Sequence, residues 1–345
     1  MTRLQKLYSV AFELTTACPC RCDTCGTDAG KRRPNELVLA EWLEQLDVVA
    51  RLGAKRLTLL GGEPFLSPHW SALVRQGTEL GLDVDVISCG IGISEHTLEE
   101  AVRVGLQWLT VSIDGTETAH DVSRGVPNGY REALETIRRF DTHGMKVGVT
   151  TQLNRRTLPL LDDLAPELQS AGAIGWQLQL TLPTGRARLH PERLLAPEDM
   201  PEVFAVIRGL VKRRGLRPYI TDDLGYFTAD DPVLRTPPMC PVRCWCGCFA
   251  GLRSLSISSI GDVKGCMSLP DDFIEGNVRT EPLQQIWTAP NRFAYNRAFH
   301  PDSLGEKCRT CDVSLLCRGG CTSTSVTTTG KPNQGPYCVR PQERT

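Results

Sequence analysis

Short apolar segments alternate with amphipathic segments up to about residue 211. Six of the apolar segments are rich in Val, Ile and Leu with little regular alternation, which is typical of strands buried on both faces of a parallel sheet. These predicted strands run over 8–14, 55–60, 82–87, 107–113, 145–150 and 174–180. Apolar residues recur at helical spacing elsewhere, most clearly in 39–50, 130–140 and 200–211. Six strand–helix units predict an α/β fold, either an open doubly wound sheet or a curved, partial (β/α)6 barrel of the TIM type.

Two local features accompany this pattern. Asn128 is the expected N-cap of the helix over 130–140, because its side chain can accept a hydrogen bond from the first turn. The six histidines show no metal-ligand spacing, and His120 is expected to be a surface or cap residue.

The periodic pattern fades after Arg217 into sequence rich in Pro and Asp. This change predicts a domain boundary, with the barrel in residues 1–220 and a second domain, including its linker, in 221–345. The second domain has few long apolar runs, and its cysteines are expected to replace a conventional core. Its Thr/Ser-rich run over 322–329 is typical of low-complexity sequence.

Unusual residues follow the C-terminal end of every predicted strand, where parallel α/β folds place their chemistry. In chain order they are Cys18 to Cys25, Gly61-Gly62-Glu63-Pro64, Ser88-Cys89-Gly90, Ser112 with Asp114 and Gly115, Asn154, and Pro183-Thr184-Gly185-Arg186. Their position indicates an active site on one rim of the sheet.

The overall charge and hydropathy exclude several classes of protein. Thirty-nine basic and forty acidic residues give a formal net charge of -1, which argues against a main task of binding nucleic acid or an anionic membrane. No apolar run approaches the roughly 18 residues of a membrane span. The apolar stretch near Tyr8 is interrupted by Glu13 and lacks a signal-peptide cleavage site. We therefore expect a soluble, cytoplasmic protein without a nucleic-acid or membrane partner.

The 15 cysteines are the most unusual feature of the composition. Four lie between Cys18 and Cys25, ten lie between Cys240 and Cys338, and only Cys89 lies between these two zones. In a reducing compartment, clustered thiols favour metal or redox chemistry over disulfides.

The first zone contains the spacing Cys18-x3-Cys22-x2-Cys25. Three thiolates leave one iron of a [4Fe–4S] cluster open for another ligand, whereas a structural zinc ion would need a fourth ligand, for which Cys20 is a candidate. Together with Gly-Gly-Glu after the second strand, the spacing resembles the radical S-adenosylmethionine (SAM) superfamily. The resemblance covers roughly residues 8 to 190.

This resemblance implies a SAM-binding site. The open iron would bind the amino and carboxylate groups of SAM, and the motif from Gly61 to Pro64, through glycine backbone and the Glu63 carboxylate, would hold the amino group. The other implied contacts are Ser112 and Arg124 to the methionine carboxylate, Ser88 or Asp114 to the ribose, and Asn154 with backbone near 180–182 to the adenine. A turn or cap role is an equal alternative for Ser88 and Asn154. Thr24 stands where the family usually has an aromatic residue, so packing on the adenine must come from elsewhere.

The second zone resembles the SPASM extension of radical SAM enzymes, with all seven cysteine positions in order. It reads Cys248-x12-Gly261-x4-Cys266, then Cys308-x2-Cys311-x5-Cys317-x3-Cys321, then Cys338. The resemblance implies a C-terminal cysteine-rich SPASM domain with two auxiliary [4Fe–4S] clusters, and so three clusters in all.

By position, Cys248, Cys266 and Cys321 would bind the first auxiliary cluster, and Cys308, Cys311, Cys317 and Cys338 the second. Cys240, Cys244 and Cys246 are the candidates to complete the first cluster. Cys240 and Cys244 have longer loops than Cys246 and reach more easily around a cube, and Cys244 is slightly favoured over Cys240. A zinc ribbon built on 308–321 is the alternative.

The resemblance implies reductive cleavage of SAM to methionine and a 5′-deoxyadenosyl radical, which removes a hydrogen from the substrate. The favoured reaction is an oxidation, crosslink or epimerisation of a ribosomally made peptide. Sulfatase maturation ranks lower, because such maturases typically have an Asp where this chain has Met267. Small-molecule oxidation is the main enzyme alternative. An iron–sulfur electron carrier and a zinc-stabilised interaction module are the non-enzyme alternatives.

The implied partners are a peptide or protein substrate and a reductant such as flavodoxin or ferredoxin. The first strand begins near Tyr8, which leaves no room for an N-terminal winged-helix module. Peptide recognition would then require a separate leader-recognition protein or direct capture by the core.

Overall fold

The fold is taken from a computed structural model, which describes residues 6–213, 215–221, 223–224, 229–237 and 245–340. Within these ranges, strands form one sheet in the order β10-β9-β8-β1-β2-β3-β4-β5-β6-β7. The strands are β1 (Ser9–Glu13), β2 (Arg56–Leu60), β3 (Asp83–Ser88), β4 (Trp108–Ser112), β5 (Lys146–Leu153), β6 (Gly175–Leu180), β7 (Pro218–Ile220), β8 (Ser254–Ile257), β9 (Asp262–Lys264) and β10 (Gly276–Asn277).

Helices connect these strands. They are α1 (Leu39–Arg51), α2 (Trp70–Glu79), α3 (Glu95–Arg103), α4 (Glu117–Arg124), α5 (Gly129–Thr142), α6 (Leu161–Ser170), α7 (Met200–Lys212), α8 (Asp231–Arg235), α9 (Leu283–Thr288), α10 (Ala294–Arg297), α11 (Glu306–Arg309), α12 (Ser314–Cys317) and α13 (Thr322–Thr329). In the part of the chain that the structure describes, none of them combines the length and apolarity that a bilayer crossing requires.

Strands β1 to β7 pair in chain order and are all parallel, which is the arrangement that strand–helix repeats produce. The predicted α/β fold and its six strands are confirmed, with strand ends that differ by at most three residues. The sheet continues beyond the prediction, because β7 extends it at one edge and β8 pairs in parallel with the other side of β1.

The prediction that these strands are buried on both faces is wrong. Residues on one face, such as Leu57, Val86 and Leu109, are fully buried in the core beneath the helices. Their alternate neighbours, such as Thr58 and Thr110, are only half-buried. Side chains alternate along a strand, so the second face is a polar surface on the inner side of the curved sheet.

The predicted N-cap at Asn128 is wrong. Asn128 precedes α5 with a left-handed backbone (φ 61°) and makes no side-chain cap. Instead, the Asp121 carboxylate accepts hydrogen bonds from the backbone N–H groups of Asn128 (2.7 Å) and Tyr130 (2.8 Å). The Thr/Ser-rich run forms the helix α13, and its residues from Thr322 to Val326 are buried.

Candidate active site at the carboxyl ends of the strands

The loop of Cys18 to Cys25 follows β1. The segment that leads into this loop is hydrogen-bonded to the Gly61-Gly62-Glu63 turn after β2. The backbone N–H of Gly62 donates to Thr15 O and that of Glu63 to Ala17 O, both at 2.7 Å. A Cβ at Gly61 would lie 2.3 Å from Thr15 O, and one at Gly62 would lie 2.2 Å from Ala17 O. Both glycines are therefore required for close contact with the segment that leads into the cysteines.

Five thiols meet at this loop, those of Cys18, Cys20, Cys22, Cys25 and Cys89. Cys18, Cys20 and Cys89 are in hydrogen-bond contact, and Cys22 contacts Cys20. Hydrogen bonds from Cys20 and Cys89 lower the pKa of Cys18 to about 3. Hydrogen bonding from Cys20, together with the charge of Arg124, lowers the pKa of Cys22 to about 7. The surroundings thus favour the thiolate form at Cys18 and Cys22, and thiolates are the form that binds iron.

Asp23 anchors the same loop between its second and third predicted ligands. Its carboxylate accepts hydrogen bonds from the Ser123 hydroxyl (3.0 Å) and from the guanidinium of Arg156 (2.9 Å), and it is ion-paired with Arg193. Contacts from α4 and from the loops after β5 and β6 therefore converge on one carboxylate.

Arg186, after β6, holds the cysteine loop from the other side. Its guanidinium donates to Cys22 O (2.6 Å), to Ala29 O (2.7 Å) and to the Asp28 carboxylate (2.6 Å). Its backbone N–H donates to Cys25 O at 2.9 Å. The sequence analysis placed Arg186 on the rim but gave it no role. Its position in the loop after the last predicted strand was the one feature of the sequence that could have indicated this contact.

Arg186→Gln is expected to lower the free energy of unfolding of the cofactor-free chain by about 3 kcal/mol, because two carbonyls lose a charged donor in a buried site. The exposed Arg188→Gln is the matched control and should stay within about 0.5 kcal/mol of the parent. Urea denaturation under reducing conditions measures both. Equal stability of the two variants would contradict the conclusion that Arg186 holds the cysteine loop in place.

Glu63 is buried (1% exposed) and its side chain faces the end of β3. It accepts hydrogen bonds from the Ser88 hydroxyl (2.9 Å) and from the backbone N–H of Cys89 (2.8 Å). It also caps the short helical turn Pro64–Leu66 by accepting from Phe65 N–H (3.2 Å). Burial raises the pKa of Glu63 to about 7, although these hydrogen bonds oppose the shift.

This raised pKa predicts a pH dependence of stability. Between about pH 4.5 and pH 7 the unfolded chain loses the Glu63 proton while the folded chain keeps it, so stability falls as pH rises and is constant above pH 7. Glu63→Gln removes this titration. Between pH 5 and pH 8, the free energy of unfolding of the cofactor-free parent should therefore fall relative to that of Glu63→Gln, by at most about 3 kcal/mol. Denaturation of both proteins at the two pH values measures this difference. A pH-independent difference would show that Glu63 is ionised at pH 5.

Arg124, at the C-terminal end of α4, lies beside the cysteines. Its guanidinium pairs with the Asp114 carboxylate at 2.8 Å and contacts Cys22 Sγ at 3.5 Å. His120, one turn earlier in α4, is fully buried and accepts a hydrogen bond from Asp114 N–H at 3.1 Å. The prediction that His120 is a surface residue is therefore wrong. Burial lowers the pKa of His120 to about 2, and the imidazole is neutral.

The remaining predicted SAM contacts lie on the same rim. Ser112 is the half-buried last residue of β4. Asn154 is fully buried after β5, and its side-chain carbonyl accepts from Arg156 N–H (3.0 Å) and Thr157 N–H (3.1 Å), which is a turn role. Gly62, Glu63, Ser88, Asp114 and Arg124 are thus brought together with the cysteine loop, and their roles toward SAM stay predictions.

The three described cysteines of the first auxiliary set are close together. Cys321 donates a hydrogen bond to Cys248, which lowers the pKa of Cys248 to about 5. Burial, and then the charge of Cys248, raises the pKa of Cys266. Cys246 is exposed. Cys240 and the favoured fourth ligand Cys244 lie outside the described residues.

The four cysteines of the second auxiliary set line one cavity. Cys308, Cys311, Cys317 and Cys338 surround it, with Lys307 and Arg340 at its edge. A [4Fe–4S] cluster with four protein ligands needs such a thiol set. The grouping matches the one that the resemblance implied, and the assignment to a cluster stays a prediction.

The donor sets and the buried polar atoms fit iron–sulfur clusters and SAM. Arg124 Nε and Thr150 Oγ1 are buried and have no hydrogen-bond partner among the described residues, and both lie at the rim or on the inner face beside it. Such atoms suit a polar ligand. Across the described ranges, no group of three or more Cys, His, Asp or Glu side chains is arranged to hold a single metal ion.

Comparisons with known proteins define the class. A model of the radical SAM superfamily matches residues 12–154, and a model of the SPASM iron–sulfur cluster-binding domain matches residues 246–312. An AdoMet-dependent heme synthase of Methanosarcina barkeri is 27% identical over 98% of this chain and 97% of its own length. The sporulation killing factor maturation protein SkfB of Bacillus subtilis is 30% identical over 52% of this chain and 44% of its own length.

Among solved structures, Streptococcus suis SuiB bound to S-adenosylmethionine superposes with a TM-score of 0.75 over 95% of this chain and 76% of SuiB. The identity is 16%, so this likeness concerns the fold. The chain belongs to the radical SAM superfamily. It carries a SPASM domain as well, and it is an enzyme of the radical SAM/SPASM type, with [4Fe–4S] clusters and SAM as cofactors.

Proposed function

We propose that the chain oxidises, crosslinks or epimerises a ribosomally made peptide by SAM radical chemistry. The observation that carries this proposal is the part of the inner face formed by β5, β6 and β7, where Thr150, Gln152, Gln177, Gln179 and Tyr219 present neutral amide and hydroxyl groups. Tyr219 donates to Gln177 Oε1 at 3.3 Å, and Gln177 lies 3.5 Å from Gln179. Such groups both donate and accept hydrogen bonds, as peptide amides require.

The residues of the rim have separate tasks in this proposal. Cys18, Cys22 and Cys25 hold the cluster, and Glu63 with Arg124 holds the charged ends of SAM. Asp23 and Arg186 keep the cysteine loop in place. When bound, the cluster and SAM supply the 5′-deoxyadenosyl radical that takes a hydrogen atom from the substrate.

The proposed role of the second cysteine zone is to accept an electron from the substrate. Net oxidation of the substrate requires one more electron and a proton to leave after the hydrogen atom is removed. The two auxiliary sets would accept this electron, and a flavodoxin or ferredoxin would supply the electron that SAM cleavage consumes. A separate leader-recognition protein would present the peptide.

A second candidate substrate is a tetrapyrrole with carboxylate side chains. It is favoured by the match to the heme synthase of Methanosarcina barkeri, which covers nearly the whole of both chains. If a hydrogen atom is taken from the carbon next to the one that bears the carboxylate, loss of carbon dioxide and of one electron leaves a carbon–carbon double bond. The same cysteine sets would accept that electron.

The test uses the iron-reconstituted full chain with SAM and a reductant, without oxygen. One arm receives synthetic precursor peptides encoded in the same genome, and the other receives a tetrapyrrole with carboxylate side chains. We expect more 5′-deoxyadenosine in the presence of the peptide than in its absence. An oxidised or crosslinked peptide should have lost two hydrogens, and an epimerised peptide should carry one deuterium when the reaction is run in heavy water. Loss of carbon dioxide from the tetrapyrrole, with unchanged peptides, would select the second candidate. SAM cleavage without either product would contradict both.

Glu63→Gln is expected to weaken SAM binding roughly tenfold to a hundredfold, because a charge-assisted contact worth about 1.5–3 kcal/mol is lost. Iron content should not change. The control Glu44→Gln alters an exposed carboxylate of α1 and should leave SAM affinity unchanged. Equilibrium binding to the reconstituted proteins measures both, and equal affinities would leave Glu63 with a structural role alone.

A further inference from the structure

A buried tryptophan contacts the second auxiliary cysteine set. Trp245 is 3% exposed, and its indole Nε1 lies 3.3 Å from Cys317 Sγ, in hydrogen-bonding geometry. An indole N–H is a donor only, so the sulfur is the acceptor. Cys338 is partly buried against this pair, as are Cys248 and Cys321 of the first auxiliary set.

The helix α8 holds this indole in place. The backbone N–H of Trp245 donates to Asp231 Oδ2 at 2.9 Å, and the Arg235 guanidinium lies 5.3 Å from the centre of the indole ring. Asp231 and Arg235 are themselves a buried ion pair in α8, with side chains 5% and 3% exposed. Arg235 also donates to Thr221 O at 2.9 Å, beside the end of β7. The donor is therefore fixed before any cluster binds.

We propose that Trp245 is a positioning residue that raises the reduction potential of the second auxiliary cluster through its hydrogen bond to Cys317. This rests on the proposed assignment of Cys308, Cys311, Cys317 and Cys338 to that cluster. One-electron reduction adds negative charge that is shared by the ligand sulfurs. A donor to one of these sulfurs stabilises the reduced state more than the oxidised state. The second cluster then accepts electrons more readily.

The test is Trp245→Phe, which keeps an aromatic ring and removes the N–H. Trp176→Phe is the matched control, because Trp176 is fully buried and its indole donates to the Thr151 hydroxyl at 2.9 Å, away from any cysteine set. The reconstituted full chains are titrated with a reductant and followed by electron paramagnetic resonance. The signal that is missing in a Cys308→Ala, Cys311→Ala variant belongs to the second auxiliary cluster.

We expect Trp245→Phe to shift the reduction equilibrium of this signal about tenfold toward the oxidised form, which is about 59 mV for one electron. Trp176→Phe should leave it unchanged. An unchanged potential in Trp245→Phe, or an equal shift in the control, overturns the proposal.

A second measurement uses the parent protein, so it does not depend on whether a variant folds. With tryptophan labelled by nitrogen-15 at the indole, the reduced second cluster of the parent protein should show magnetic coupling to an indole nitrogen. Absence of this coupling overturns the proposal even if Trp245→Phe does not fold. Unchanged iron content and spectra in the Cys308→Ala, Cys311→Ala variant would instead show that the cluster assignment itself is wrong, and the inference would fail with it.

Discussion

Replacing Cys18, Cys22 and Cys25 together by Ala is expected to remove about four of about twelve irons per reconstituted chain and to abolish 5′-deoxyadenosine formation. The three thiolates are the proposed ligands of the cluster that binds SAM. Iron and sulfide analysis with product chromatography measures both quantities.

Cys20→Ala is the control for this variant. Cys20 is buried in the same loop and touches the thiols of its neighbours, but it is not part of the spacing that resembles the family. It should keep its iron and its SAM cleavage. If the triple variant still cleaves SAM, or if Cys20→Ala loses the same four irons, the ligand assignment is wrong.

Gly62→Ala is expected to have the second largest effect, because its Cβ would lie 2.2 Å from Ala17 O and 2.7 Å from Thr16 O. Both atoms are backbone, so the loop before Cys18 must move. We expect a loss of at least about 3 kcal/mol in unfolding free energy and a failure to retain the iron of the first cluster.

Gly209→Ala provides the comparison. Gly209 lies inside α7, and an added Cβ would meet nothing within 4 Å. That change should stabilise the chain by about 0.5–1 kcal/mol, because Ala is a better helix former. Denaturation curves and iron analysis distinguish the two variants. Normal iron retention in Gly62→Ala would show that the two loops can separate without harm.

The long elements of the fold were predictable from the sequence because their signals are local. The core side chains of β2 or β4 lie within five consecutive residues, and the helix α7 repeats apolar residues over three turns. Strands β7 to β10 were not predicted, since each has only two to four residues and forms by pairing with a partner. The cap of α5 was missed because Asp121 lies seven residues before Asn128.

The site was predictable in kind and less so in detail. Cysteine spacing identified the ligand candidates, since spacing along the chain is what such motifs record. The contacts of Asp23 with Arg193, of Arg186 with Cys22 and of Trp245 with Cys317 join residues 72 to 170 positions apart, and no local pattern reports them. His120 left a weaker trace, because it shares one buried helix face with Ser123 and Arg124 in an otherwise polar segment.

The pairing of β1 with β8 has a consequence for biosynthesis. Ser9 pairs with Ser254, so β1 leaves the ribosome about 240 residues before its second partner is made. At typical rates of translation this delay is roughly 10 to 50 s. During that time one edge of β1 has free backbone hydrogen-bonding groups, which invite pairing with other chains. A barrel expressed without its cysteine-rich segment would keep that edge permanently and should accumulate as aggregates, so the nascent chain depends on prompt completion or on a chaperone.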